Sequence, residues 1–331
     1  MSKSIAVTGI GNAIVDVIAQ CDDAFLNDNG VEKGIMQLID APRARALYQV
    51  MPPATEKSGG SVANSIAGIA SLGVKTGFIG KVKEDQLGDI FAHDIKAQGT
   101  VFDTPRMESS HEDETARSMI LVTPDGERSM NTYLGVANLL DEDDCDPVLL
   151  RDTDIVYLEG YLFDRPAAQR AFVKAMETTK SAGGKAALSL SDPFCVERHR
   201  DAFADLVRNH VDLLFCNNHE LMSLYQVDDL DQAMAKAQSE VELVACTTGP
   251  DGVSVSTKDE VISLPAEDVE VVDKTGAGDM FAAGFLAGLS LNKSLKECGH
   301  MGGIAAGEVI SHIGARPEVS LVELFREKGV L

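Results

Sequence analysis

The sequence predicts an α/β fold in which helices cover a mostly parallel sheet, and two observations carry this prediction. Short apolar runs rich in β-branched residues are bounded by Gly, Pro or Asp, and they lie at 5–10, 155–158, 186–190, 211–215 and 243–247. Amphipathic helical stretches, such as 165–181 and 229–239, lie between many of them. Regular alternation of strands and helices is typical of a parallel sheet. In such sheets ligands bind in the loops that follow the strands, at one edge.

Two stretches interrupt this alternation and predict a small β-sheet lid. They are residues 15–40 and 105–134, and the second contains the turn Pro124-Asp-Gly126 between two strand-like runs, which is typical of a hairpin. The large α/β domain would then comprise residues 1–14, 41–104 and 135–331. The first residues, from Met1 to Gly9, are interrupted too early for a signal peptide and predict the first strand.

Charge and composition limit the possible partners. The 331 residues include 29 Lys and Arg against 52 Asp and Glu, a net charge of −23, which disfavours nucleic acid and anionic lipid. No apolar run approaches the roughly 18 residues of a membrane span. The six scattered cysteines form no CxxC pair, which fits reduced thiols in the cytoplasm. We therefore expect a cytoplasmic protein that acts on small molecules, with any phosphate site built locally.

The most informative segment is Val271-Val-Asp-Lys-Thr-Gly-Ala-Gly-Asp279, which precedes an apolar helical stretch. Small residues allow a ligand close to the backbone, and the first N–H groups of a helix form an anion site. A carboxylate at Asp279 would be repelled by a bound phosphate unless it had a task such as taking a proton from an attacking hydroxyl. The alternative is structural, with Asp279 capping a buried helix and Gly276 and Gly278 forming a tight turn.

Four segments together resemble the ribokinase (PfkB) family of carbohydrate and nucleoside kinases. The glycine-rich segment is similar to its second signature, and Ser58-Gly-Gly-Ser-Val-Ala-Asn-Ser65 to its first. Asn217-Asn-His-Glu220 matches the Asn-x-x-Glu motif, and Thr247-Thr-Gly-Pro-Asp-Gly252 matches a nucleotide-binding loop. The resemblance implies a ribokinase-like three-layer α/β/α sandwich with a small β-sheet lid. It also implies ATP and Mg²⁺, with a monovalent cation such as K⁺ left open because Lys274 replaces the usual Thr or Ser.

The resemblance also implies roles for individual residues. Asp279 would be the base, with the backbone of Gly276, Ala277 and Gly278 as the anion hole. ATP would contact Asn217, Glu220, Thr247, Gly249 and Gly252, and Glu220 and Asn217 would hold Mg²⁺ through its water. The acceptor would contact Asn12, Asp16, Gly59, Gly60, Asn64, Ser65, Phe194 and Arg128.

The segments around Asn12, Asp16 and Phe194 are similar to those of adenosine kinases in this family, which implies transfer of the γ-phosphate of ATP to the 5′-hydroxyl of adenosine. A carboxylate at Asp16 suits two ribose hydroxyls, and Phe194 would stack on the base. Other interpretations remain open, with Asn64 as a helix start, Asp16 as a solvated strand end and Phe194 as core.

Alternative functions also remain open. One is a sugar kinase of the ribokinase, fructokinase or 2-keto-3-deoxygluconate kinase type, although the candidate substrate segments show no Arg cluster for a sugar acid. Another is a non-catalytic nucleoside-binding protein of the same fold. The sequence is compatible with a monomer or a homodimer.

Overall fold

The computed structural model describes residues 3–331, so Met1 and Ser2, which belonged to the predicted first strand, lie outside the described residues. The strands are β1 Ile5–Ile10, β2 Ile14–Gln20, β3 Met36–Leu38, β4 Thr55–Gly59, β5 Thr76–Ile79, β6 Ala116–Val122, β7 Arg128–Tyr133, β8 Thr153–Glu159, β9 Lys185–Ser189, β10 Leu213–Asn217, β11 Leu243–Thr247, β12 Val253–Ser256 and β13 Val261–Leu264. The α-helices are α1 Asp23–Asp28, α2 Ala41–Val50, α3 Ser61–Ser71, α4 Gln86–Ala97, α5 Pro147–Arg151, α6 Pro166–Ser181, α7 Pro193–Arg198, α8 Arg200–Asn209, α9 Asn218–Tyr225, α10 Leu230–Glu240, α11 Ala277–Ser290, α12 Leu295–Ile310 and α13 Leu321–Glu327.

The large sheet confirms the predicted mostly parallel architecture. Its order is β13-β12-β11-β10-β9-β8-β1-β5, and the six strands from β11 to β5 are parallel. At one edge, β12 pairs antiparallel with β11, and β13 pairs antiparallel with β12. The chain runs from β1 outward to β5 and then returns to the other side of β1 at β8. The strand order therefore reverses between β1 and β8, and ligands of open α/β sheets bind outside the carboxyl ends at such a point.

Two apolar cores, one on each face of this sheet, produce three layers. Along β8, Ile155 and Tyr157 pack into the core that contains α3, α4, α11 and α12, whereas Val156 and Leu158 pack into the core with α6, α8 and α10. Successive strand side chains point to opposite faces, so a strand buried on both faces needs an unbroken apolar run. This is why the strands could be identified from sequence.

A second sheet of order β3-β7-β6-β2-β4 forms the small layer that the sequence predicted as a lid. The turn at Pro124-Asp-Gly126 connects β6 and β7, which pair antiparallel. The sheet also takes β4, which the predicted boundaries assigned to the large domain, because β4 pairs antiparallel with β2 from Ile14–Gly59 to Ile18–Thr55. We propose that this sheet, with β4 included, is the lid.

No helix within residues 3–331 combines the length and the apolar character needed to cross a membrane.

Candidate active site

The glycine-rich segment ends at the start of α11 and places Asp279 in the first turn of that helix. Gly276 precedes the helix with φ +81°, and a Cβ there would lie 2.7 Å from the Cα of Ala315, so only glycine fits. A Cβ on Gly278 would meet no atom within 4 Å, so the turn is open on that side. First-turn N–H groups have no intrahelical acceptor, so the turn at Gly276–Gly278 is suited to an anion, although the Ala277 N–H already donates to the carbonyl oxygen of Lys274 at 3.3 Å.

Asp279 is held by side chains of α3 rather than by its own helix. Its Oδ1 accepts a hydrogen bond from Ser61 Oγ at 2.6 Å, and its Oδ2 accepts one from Asn64 Nδ2 at 3.1 Å. The α11 start has no side-chain cap, so the alternative in which Asp279 caps the helix is wrong. Burial raises the pKa of Asp279 from 3.8 to about 6, and the nearby Asp16 carboxylate adds to this effect. Such a carboxylate is anionic at neutral pH and a better proton acceptor than an ordinary Asp.

Ser65 lies beneath Asp279. Its hydroxyl is fully buried and donates to the carbonyl oxygen of Asp279 at 2.9 Å. This hydrogen bond joins α3 to α11, and the contact of Ser65 with the acceptor stays a prediction.

Asp16 occupies the middle of β2, on the face opposite Val15 and Val17, which join the large core. Burial raises its pKa to about 6, although the positive charges of Arg316, Arg128 and Lys57 oppose this. Asp16 is therefore not a solvated strand end. A Cβ on Gly59 would lie 2.4 Å from Asp16 Oδ2, so glycine at this position gives the carboxylate its space.

Glu159, which no motif in the sequence indicated, joins the predicted acceptor segments at the point where the strand order reverses. Its Oε1 accepts from the backbone N–H of Asn12 at 2.8 Å and from Asn12 Nδ2 at 2.7 Å, and its Oε2 accepts from the Val62 N–H at 2.9 Å. Burial raises its pKa to about 7. The feature of the sequence that could have indicated this residue is a carboxylate directly after the apolar run 155–158. Asn12 Oδ1 is buried without a protein partner and can accept a ligand hydroxyl.

Arg128 links the small sheet to the glycine-rich segment. It forms an ion pair with Asp273, and both side chains are at least nine-tenths buried. Asp273 also accepts from the backbone N–H groups of Thr275 at 2.9 Å and Gly314 at 3.1 Å. Arg128 therefore lies next to the anion-binding turn, and its positive charge acts to lower the pKa of Asp16. Its Nε has no protein partner.

Two further residues that were predicted to contact the acceptor, Gly60 and Phe194, lie in different parts of the structure. Gly60, with φ +102°, precedes α3 and approaches Asn12, whose carbonyl oxygen would be 2.3 Å from an added Cβ. Phe194 begins α7 with 69% of its surface exposed, so the interpretation as core is wrong. Its helix packs beside α9 rather than under the small sheet.

Asn217 and Glu220 form a reciprocal capping box at the start of α9. Asn217 Oδ1 accepts from the Glu220 N–H at 2.9 Å, while the two Glu220 oxygens accept from the N–H (2.9 Å) and Nδ2 (2.6 Å) of Asn217. Burial raises the pKa of Glu220 to about 7, and the negative charge of Asp192 contributes. Asn217 and Glu220 thus hold each other at the start of α9, and their role in binding Mg²⁺ through its water stays a prediction. Within residues 3–331 no cluster of three His, Cys, Asp or Glu side chains could enclose a bare metal ion.

The predicted ATP loop follows the neighbouring strand. Asn217 and Thr247 are paired in register on β10 and β11, so the capping box and the loop leave the sheet at the same edge. Gly249 (φ +63°) is exposed, and Gly252 (φ +96°) lies so close to Leu264 that a Cβ would be 2.0 Å from its carbonyl oxygen. Both positions need glycine, which leaves the backbone of the loop accessible to a ligand.

Arg316 is the second residue that the sequence analysis missed. It lies two residues after Gly314, in the loop between α12 and α13, and its Nε donates to Asn64 Oδ1 at 3.0 Å. No local pattern distinguished this arginine, because only folding brings it to a residue 252 positions away.

One edge of the sheet thus combines a carboxylate at a helix start, an open anion-binding turn, a glycine loop and the buried polar side chains of Asn12 and Glu159. These features are typical of a phosphotransferase that acts on an alcohol.

Comparisons with known proteins agree with this class. The model of the "pfkB family carbohydrate kinase" matches residues 49–320, and the chain therefore belongs to the PfkB family of kinases. An "ATP-dependent ribose-1-phosphate kinase" from Halopiger xanaduensis is 32% identical over 232 residues, 70% of this chain and 73% of that protein. A "probable sugar kinase" structure from Rhizobium etli is 45% identical, with a TM-score of 0.90 over 99% of this chain and 100% of that one. The adenosine kinase structure from Sinorhizobium meliloti is 47% identical, with a TM-score of 0.89 over 98% of this chain and 99% of that one.

Proposed function

We propose that this kinase transfers the γ-phosphate of ATP to the 5′-hydroxyl of a nucleoside, and that the nucleoside is adenosine. The observation that carries the transfer is the geometry of Asp279, which two α3 side chains orient at the mouth of the anion-binding turn. The similarity to the Sinorhizobium meliloti adenosine kinase supports the choice of acceptor. The proposal includes a cytoplasmic location, for which the support is the scattered cysteines of the sequence, which form no CxxC pair.

Each part of the site has a task in this proposal. Asp279 takes the proton of the attacking hydroxyl. The hydroxyl oxygen of the acceptor bonds to the γ-phosphorus as the bond between that phosphorus and ADP breaks. The backbone N–H groups of Gly276 and Gly278 stabilise the negative oxygens of the transferring group. Asp16 and Asn12 Oδ1 accept hydrogen bonds from the acceptor and orient it. Mg²⁺ near Glu220 would neutralise phosphate charge and would keep several waters.

The charge balance of the pocket favours an uncharged acceptor. The candidate substrate segments show no arginine cluster in the sequence, but Arg128, Arg316 and Lys57 all act on Asp16 from segments that are far apart in the chain. These three cations face four carboxylates, namely Asp16, Asp94, Asp273 and Asp279. The carboxylates outnumber the cations, so no net positive charge favours a carboxylate or phosphate on the acceptor. A nucleoside or a neutral sugar therefore fits better than a sugar acid.

A neutral-sugar kinase is the second candidate, since curated relatives include a probable fructokinase of Arabidopsis thaliana that is 30% identical over 272 residues. The test is ATP-dependent turnover of the purified protein with adenosine, inosine, ribose, fructose, ribose 1-phosphate and 2-keto-3-deoxygluconate. We expect the highest kcat/KM with adenosine and the lowest with the two anionic acceptors. Efficient turnover of a sugar with no turnover of adenosine would overturn the nucleoside assignment.

Phe194 provides a separate test of base recognition. If its exposed ring stacks on adenine, we expect Phe194→Ala to raise KM for the adenine-bearing ligand by about tenfold, because base stacking on an aromatic ring contributes on the order of 1–3 kcal/mol. Phe194→Tyr should retain wild-type KM. Since α7 packs beside α9, KM must be measured for adenosine and for ATP. An increase for ATP alone would contradict stacking on the acceptor base, and unchanged values would exclude stacking altogether.

A further inference from the structure

A hydrogen-bonded chain of three side chains connects the loop between α12 and α13 to the proposed base. Arg316 Nε donates to Asn64 Oδ1 at 3.0 Å, and Asn64 Nδ2 donates to Asp279 Oδ2 at 3.1 Å. A side-chain amide has one accepting end and one donating end. Because the guanidinium can only donate, it fixes the orientation in which the Asn64 amide presents its NH₂ group to Asp279.

The same guanidinium lies among carboxylates from three elements. They are Asp16 on β2, Asp94 on α4 and Asp279 on α11. Arg128 and Lys57 also act on Asp16, from β7 and β4, and the charge of Asp16 acts on Asp279. Arg316 is the cation that acts on both Asp16 and Asp279, whereas Arg128 is already paired with Asp273. Arg316 Nη2 is buried and has no protein partner, so part of its donor capacity is unused.

We propose that Arg316 is a positioning residue for phosphoryl transfer, which acts through Asn64 to orient the Asp279 carboxylate and keeps it anionic beside the anionic Asp16. The assignment of Asp279 as the base comes from the proposed function, and the inference rests on it. Arg316 itself needs no contact with the reacting atoms for this role. Its effect is expected on kcat and on the pH dependence of turnover rather than on KM for ATP.

The test compares Arg316→Gln and Arg316→Lys with the wild type over pH 5–9. Loss of the charge in Arg316→Gln should move the acid limb of kcat/KM upward by about one pH unit, since a nearby opposite charge lowers a carboxylate pKa by roughly 1–3 units. We also expect kcat at pH 7 to fall about tenfold. Arg316→Lys should keep the wild-type acid limb with a reduced kcat, because the charge remains and the Nε hydrogen bond is lost. An Arg316→Gln profile that overlays the wild type would overturn the proposal.

A measurement independent of turnover separates this inference from the proposed function. Carboxyl ¹³C NMR titration of aspartate-labelled protein, with Asp279→Asn used to assign the signal, should show a higher Asp279 pKa in Arg316→Gln. The matched control is Arg117→Gln, which removes a buried guanidinium that lies 5.3 Å from the ring centre of Tyr48. It should lower stability without moving the Asp279 titration. An unchanged titration in Arg316→Gln would refute the role of Arg316, whereas inactivity of the wild type towards every acceptor would refute the proposed function alone.

Discussion

Replacement of Asp279 by Asn is expected to lower kcat by roughly 10²–10⁴-fold, the range that general base catalysis contributes. An amide of the same size can still interact with Ser61 and Asn64, so the fold and the acceptor KM should change little, but it cannot take a proton. The measurement is steady-state ADP formation with the best acceptor of the panel. The control is Asp154→Asn, an exposed position on β8, which should keep wild-type turnover. Full activity of Asp279→Asn would remove the base from the mechanism.

The same carboxylate sets the expected pH dependence. The pKa of Asp279 is raised to about 6 by burial, and the base acts only when it is deprotonated. Activity should therefore be present above pH 6 and should fall as the pH decreases through about 6, rather than through the usual aspartate range near 4. Asp16, with its pKa also raised to about 6 by burial, titrates in the same window, so the observed limb belongs to the pair.

Replacement of Asp16 by Asn is expected to lower kcat/KM for adenosine by about 10²-fold, because hydrogen bonds to a charged group contribute on the order of 1.5–3 kcal/mol. The loss should be specific for the ribose hydroxyls. Wild type and Asp16→Asn should differ strongly with adenosine and little with 2′,3′-dideoxyadenosine. This comparison uses one protein pair on two acceptors, so a general defect of the variant cannot imitate it. Equal losses on both acceptors would contradict the contact between Asp16 and the diol.

Local patterns in the sequence were sufficient for the mostly parallel sheet and for the glycine-rich turn. Strands such as β8 are buried on both faces, which requires a continuous apolar run that stands out in any sequence. Gly276 and Gly252 adopt positive φ, which glycine allows at little cost, so the residue type alone indicated these turns. The turn at Pro124-Asp-Gly126 is a local feature in the same sense.

The environment of each site residue was decided only by tertiary structure. Glu159, Arg316 and Arg128 reach the site from segments far apart in the chain, and their partners are Asn12, Asn64 and Asp273 respectively. The sequence showed no arginine cluster because the cluster does not exist along the chain. Burial, which raises the pKa of Asp16 and Asp279, and the surrounding charges, which shift these pKa values further, depend on distances that no local pattern encodes. The sequence by itself thus determined the fold and the types of residue at its edge, whereas only the packed structure decided which of them meet and in what charge state.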